Sequence, residues 1–144
     1  GLNNIYCHNL AVSDGREEKI KIPLPNYDVV NNFGGLELIP PLRSDNQSMV
    51  VNNYEEVETT TLDNFNEVVD FIKMDIEGME AKALLGMKKT IETFNPNMAI
   101  SVYHKPEDIF ELSETVMKLG SYNKFSLRNY AHQSFETIFY ACAR

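Results

Sequence analysis

Cysteine is scarce in this chain, with two in 144 residues, Cys7 and Cys142. Two thiols so far apart in sequence make neither a disulfide framework nor a metal-ligand spacing. Both fall in apolar stretches that resemble strands, so they read as small buried hydrophobes of a reducing, cytoplasmic compartment; a thiol catalyst is the other reading. Basic residues are also in short supply, 13 Lys and Arg against 21 Asp and Glu, which leaves a formal charge of −8 and a pI near 4.8. A phosphate backbone wants a basic patch, so nucleic acid is not an expected partner. An acidic balance is equally an ordinary solubility device. No apolar run approaches the roughly 18 residues of a membrane span, and no basic-then-apolar leader opens the chain, so a membrane partner is not expected either. The chain does not begin with Met, and it reads as a processed product or a cut piece with any targeting segment upstream.

What is present is enough apolar material for one core: 43% hydrophobic residues, with seven Tyr and eight Phe. A chain of this length and composition reads as a single domain, residues 1–144. "NIYCHNLAV" (4–12) is a plausible first strand, closed by the turn cluster "SDG". "EKIKIPL" (18–24) alternates charge with isoleucine as a half-buried strand does, and its prolines confine it to an edge. Residues 25–53, with "NNFGGLELIPPL" at their centre, are too long and too rich in Asn, Pro and Gly for a simple connection, and read as an irregular excursion or a lid. "EEVETTTL" (55–62) is another strand candidate.

The second half carries clearer periods. In "VDFIKMDI" (69–76) Ile72, Met74 and Ile76 share one face and Phe71, Lys73 and Asp75 the other. From Met79 to Phe94 the apolar residues recur at helical spacing, and Glu77 and Glu80 stand where a helix dipole favours negative charge. "NPNMAISVYH" supplies a strand from Met98 to Tyr103, and Pro106 opens a second helix that stops at Gly120. "KFSLRNY" and "TIFYACA", separated by "AHQSFE", read as an antiparallel hairpin. Helices alternating with apolar strands argue an α/β fold with a mainly parallel sheet covered on both faces. In such sheets ligands gather at the carboxyl ends of the strands, here "VSD", "MDIEG" and "VYHKP", all polar.

These segments taken together, "TTTLDNF", "VDFIKMDIEGMEAKALLGM", "NPNMAISVYHKPEDIF", "KFSLRNY" and "ETIFYA", resemble the FkbM family of S-adenosylmethionine-dependent methyltransferases. The resemblance covers about residues 55–142 well and "HNLAVSDGREEKIKI" more loosely. It implies a Rossmann-like class I methyltransferase sheet with strand order 3-2-1-4-5-7-6 and strand 7 antiparallel. Only strands 3 to 7 have equivalents here. The glycine-rich loop after strand 1 and the acidic residue of strand 2 that holds the cofactor's ribose have no counterpart, so the sheet is expected to be incomplete. The chain then reads as the carboxyl-terminal portion of a methyltransferase domain, with strand 4 left as an apolar edge that invites self-association. In the family order Cys7 and Cys142 lie on opposite sides of the sheet, too far apart to bridge.

The resemblance also implies roles. Asp75 and Glu77, at the end of strand 4, stand beside the transferred methyl group, where they could take a hydroxyl proton, hold a divalent cation by oxygen ligands or orient the acceptor. The plainer reading is a favoured helix start and a Lys73–Asp75 pair, which would also spare Lys73 the cost of an unpaired charge in a strand. His104, just past strand 5, is the third catalytic candidate, with a pKa suited to hydroxyl deprotonation; as a lone histidine it is equally an ordinary hydrogen-bonding residue. Ser13 and Asp14 follow strand 3 and, with Asp75, are the candidates for cofactor contact, although an Asp-Gly turn accounts for the first two without any ligand. Tyr103 and Arg128 could line the acceptor pocket. His8 and His132 have no such placement.

The leading expectation is therefore an O-methyltransferase using S-adenosylmethionine on a hydroxyl of a sugar or natural product, a small-molecule acceptor, with this chain alone an inactive fragment. A non-catalytic binding or assembly module that keeps half the fold and pairs through its exposed strand edge is the alternative, and a stable monomer in sedimentation would count against it. An acidic metal-binding domain built on Asp75, Glu77 and Glu80 is a third, but their spacing matches no established cation loop.

Overall fold

A computed structural model describes residues 3–24, 54–131 and 136–143. Two sheets are present. In the first, β1 (Ala11–Val12) pairs in parallel with β3 (Tyr54–Thr60), and β2 (Lys19–Pro23) pairs with β3 in antiparallel, in the order β1-β3-β2. The alternation that marks β2 as half-buried also sets its register: Lys19 faces Glu58 and Lys21 faces Glu56, so opposite charges meet across the strands. Pro23 ends β2 on the open edge, where its missing N–H costs nothing.

The second sheet has the order β4-β5-β7-β6, from β4 (Phe71–Met74), β5 (Asn97–Ser101), β6 (Lys124–Asn129) and β7 (Thr137–Cys142). β4 and β5 are parallel, and β7 runs antiparallel to both of its neighbours, β5 and β6. This is the arrangement expected of strands 4, 5, 7 and 6, with the last strand antiparallel in an open, incomplete Rossmann-like sheet. Helices α1 (Glu80–Leu85), α2 (Lys88–Phe94) and α3 (Asp108–Leu119) pack on one face. Ile72, Met74, Met98, Ile100, Phe139 and Ala141 point to that face and meet Ala83, Leu84, Met87, Ile91, Leu112 and Val116. Burying a Leu or Ile side chain of this kind contributes roughly 1.5–3 kcal/mol, and this cluster is the core of the protein.

Several expectations are corrected. The first strand is not residues 4–12 but only Ala11–Val12, and Cys7 is exposed instead of buried; Cys142 is half-buried on β7, and both thiols are free. The single helix expected from Met79 to Phe94 is two, broken at Gly86 and Met87. The break follows from contact: a Cβ on Gly86 would lie 1.9 Å from the Ser13 carbonyl oxygen, so the chain needs glycine where it meets the end of β1. On the face opposite the helices, Phe71 of the edge strand β4 is 58% exposed, whereas Ala99 and Ser101 of β5 are buried. Lys73, on the same face, is 63% exposed, so its ammonium stays hydrated rather than buried. The excursion or lid at 25–53 and His132 lie outside the described residues. No described helix is long and apolar enough to cross a membrane.

Candidate functional site

The carboxyl ends of the neighbouring parallel strands β4 and β5 face the same way, and each delivers polar residues to one place. After β4 the chain turns into α1 through Glu77 (φ 54°) and Gly78 (φ 88°). Glycine takes such a φ at no cost, whereas Glu77 holds a left-handed backbone that a non-glycine residue seldom adopts, and such strain concentrates at functional turns. The turn aims Asp75, Glu77 and Glu80 at His104, in the segment that follows β5.

His104 is surrounded by carboxylates. Its Nδ1 lies 3.1 Å from Glu80 Oε1, and its Nε2 lies 3.5 Å from Asp75 Oδ1 and 3.6 Å from Glu77 Oε2. The Asp75 and Glu77 contacts are too long for good hydrogen bonds and are ion pairs only when the imidazole is protonated, whereas the shorter Glu80 contact also holds the ring by hydrogen bonding. The His104 side chain is 8% exposed and Glu80 is 1% exposed, so the pair is largely shielded from solvent. Burial pulls the imidazole pKa down, but Glu80, then Glu77 and Asp75, outweigh it and leave it above the ordinary histidine value. Burial pushes Glu80 up, yet the His104 ring and the Ile76 N–H, which donates to Glu80 Oε1 at 2.9 Å, hold it below the usual glutamate value.

The surrounding residues fix this group in place. The Tyr103 hydroxyl donates to Asp75 Oδ1 at 3.2 Å, and burial together with the Asp75 charge pushes that phenol up to about 12. Lys73 Nζ stands 3.9 Å from Asp75 Oδ2, the pairing expected from the sequence, though as an exposed contact it contributes little to stability. Lys105 Nζ donates to the Gly78 carbonyl at 3.0 Å and ties the two strand ends together. Asp108, at the start of α3, accepts from the Lys105 N–H at 2.9 Å, and burial raises its pKa.

Asp75, Glu77 and His104 are thus brought together, as the sequence reading placed them. Ser13 and Asp14 are not part of that group. The Ser13 N–H donates to the Thr60 carbonyl at 2.8 Å, and its buried Oγ has no hydrogen-bond partner. Asp14 is engaged by Arg16, through the Arg16 N–H at 3.1 Å and Nε at 3.4 Å, the local turn that the Asp-Gly pair suggested. His8 packs edge-on against Phe65, a structural contact. Two residues weigh more than the sequence indicated. Glu80 passes in sequence for a dipole-complementing first-turn acid, and Asp108 for a helix-opening one. Their burial beside His104 depends on where β5 ends, and no local pattern carries that.

Residues 2–130 match the family described as the methyltransferase FkbM domain. The chain belongs to that family. The crystal structure of an FkbM methyltransferase from Methylobacillus flagellatus KT has the same fold, with a TM-score of 0.63 and 22% identity. The likeness covers 94% of this chain and 28% of that one, so the FkbM chain described here spans little more than a quarter of that protein's length. Among curated proteins none gives a significant match.

Proposed function

We propose that this FkbM-family chain carries the acceptor side of an S-adenosylmethionine-dependent O-methyltransferase acting on a hydroxyl of a sugar or natural product. The observation that carries the reading is the meeting of Asp75, Glu77 and His104 at the ends of adjacent parallel strands, where ligands of such sheets gather. S-adenosylmethionine supplies, when bound, an electrophilic methyl group. The chain's own residues place the acceptor and accept its proton. As the acceptor oxygen took the methyl group and the carbon–sulfur bond broke, the hydroxyl proton would pass to Asp75, the most exposed carboxylate of the group. Glu77 and His104 orient the oxygen. The products are a methyl ether, S-adenosylhomocysteine and one proton.

The chain fits the cofactor in part. Ser13 offers a buried hydroxyl with unused hydrogen-bonding capacity, and leaving such a group unpaired costs about 1–3 kcal/mol. Asp14, held in its turn by Arg16, and Asp75 are the other two candidates for cofactor contact. The sequence contains no glycine-rich phosphate loop, so the chain alone should bind the cofactor weakly and be inactive. Calorimetric titration of S-adenosylhomocysteine should accordingly give little heat. Adding an amino-terminal FkbM half that carries the glycine-rich loop should restore methyl transfer to hydroxylated acceptors, and Asp75→Asn should lower that transfer roughly a hundredfold. Restored cofactor binding without transfer to any hydroxyl would sink the reading.

A second reading, assembly through the edge of the four-stranded sheet, is favoured by β4. That strand pairs only with β5 among the described residues, and Phe71 stands exposed on it.

A further inference from the structure

We propose that Asp75, Glu77 and His104 form a binding site for a first-row divalent cation, with buried Glu80 as the positioning residue that presents His104 to it. The use of the ion in methyl transfer rests on the function proposed above, but the site itself stands on geometry alone.

One donor atom from each of the three residues lies within 4.8 Å of the other two, and the His104 Nε2 distances to the carboxylates are 3.5 and 3.6 Å. An ion with bonds of about 2.1–2.4 Å sets neighbouring donors about 3 Å apart and opposite donors up to about 4.8 Å apart, so the spacing of the three atoms is compatible with one shared ion. An acidic cluster on a protein surface would not by itself amount to a site. His104 makes the difference. Its side chain is 8% exposed, its Nε2 is buried without a hydrogen-bond partner, and that nitrogen points between the two carboxylates.

The other side of the ring agrees. Metal-bound histidines usually turn their second nitrogen to a carboxylate, which fixes the tautomer and makes the ligand more basic. Here Nδ1 faces Glu80 at 3.1 Å, and Glu80 is itself held by the Ile76 N–H. A proton on Nδ1 leaves the Nε2 lone pair directed at Asp75 and Glu77. Charge agrees as well: two ligand carboxylates and a neutral imidazole balance a divalent ion. Two oxygens with one imidazole nitrogen tell against Ca2+ and for a first-row ion that accepts both.

A second group, Glu80, His104 and Asp108, could also hold an ion. It is the weaker candidate, because Asp108 Oδ2 already accepts from Lys105 N–H and both carboxylates are buried away from the solvent that supplies such ions with water. At the outer position, where Asp75 and Glu77 are part-exposed, an ion would keep places open to solvent. There it would bind the acceptor oxygen and lower its pKa.

The test is a Mn2+ titration of the chelator-stripped 144-residue chain, followed by electron paramagnetic resonance, with neither cofactor nor acceptor present. We expect one ion per chain and a nitrogen coupling from an imidazole ligand. Asp75→Asn and Glu77→Gln should each weaken binding at least tenfold, His104→Gln should abolish the nitrogen coupling, and Glu80→Gln should weaken binding 10–100-fold while leaving one ion per chain. Glu114→Gln removes a surface carboxylate paired with Lys118 on α3 and should leave affinity unchanged. Far-ultraviolet dichroism checks that each variant is folded. Equal affinity in Asp75→Asn and Glu77→Gln, or no nitrogen coupling in the wild type, overturns the site. A loss in Asp108→Asn with none in Asp75→Asn would place the ion in the buried group and overturn it equally. A bound ion with no methyl transfer in the complemented enzyme would leave the site standing and defeat only the reaction.

Discussion

Tyr122 joins the core on the helix side and donates its hydroxyl to the Pro96 carbonyl at 2.9 Å, so one phenol links the end of α2 to the segment after α3. Burial pushes its pKa up to about 12, against about 10 in an unfolded chain. The folded state therefore favours the neutral phenol. That contribution is complete below about pH 10 and is lost as the pH rises through about 12, because the unfolded chain gives up its proton first. Tyr122→Phe should cost about 1 kcal/mol at neutral pH and flatten the fall in stability over that alkaline range; a chemical-denaturation series across pH, with phenolate absorbance, measures both. Single residues were legible in the sequence where a strand end announced them. Asp75 and His104 stand at such ends, and the change of period after Ile76 and the proline after Lys105 mark them. Lys73 was legible as a partner for Asp75 but not as an exposed residue, because alternation along a strand shows which residues share a face and says nothing about whether that face is covered.

Asp63 belongs to the "TTTLDNF" segment, in the 3-10 turn Leu62–Asn64, and caps a helix 26 residues away. Its Oδ1 accepts from the Thr90 N–H at 2.8 Å and the Thr90 hydroxyl at 2.7 Å, and its Oδ2 accepts from the Lys89 N–H at 3.1 Å. These are the first-turn donors of α2, which no cap residue of its own satisfies. Charge-assisted bonds at a helix start are among the stronger ones, so Asp63→Ala should lower stability by about 2 kcal/mol and Asp63→Asn by roughly half as much. Urea unfolding checks both. Most elements were legible: β4, β5, α3 and the β6–β7 hairpin fall where period and turn residues put them. The break between α1 and α2 was not, since Met87 and Ile91 keep their helical spacing across it and both remain in the core. Nor was the shortness of β1. "NIYCHNL" is apolar enough for a strand, but Ile5 and Tyr6 lie exposed and find no pairing partner among the described residues.

For the molecule as a whole, the unequal treatment of the two edges of the larger sheet matters most. β6 closes one side with Lys124 and Arg128, the kind of charge that discourages pairing. β4 leaves the other side with Phe71 exposed and Val68 exposed just before it. We expect sedimentation to find the wild-type chain self-associated and Phe71→Lys monomeric; a monomeric wild type would remove the edge as an assembly surface. The strand order of this sheet followed from the sequence through the family resemblance. The position of the smaller sheet did not, because it depends on contacts between segments far apart in sequence, Asp63 with α2 and the backbone approach at Gly86 among them. At Gly86 the end of β1 lies against the turn after α1, and the Asp63 N–H donates to the Gly86 carbonyl at 3.1 Å. Three segments distant in sequence thus share one rivet with no side chain of its own, and parting the two sheets would shear it.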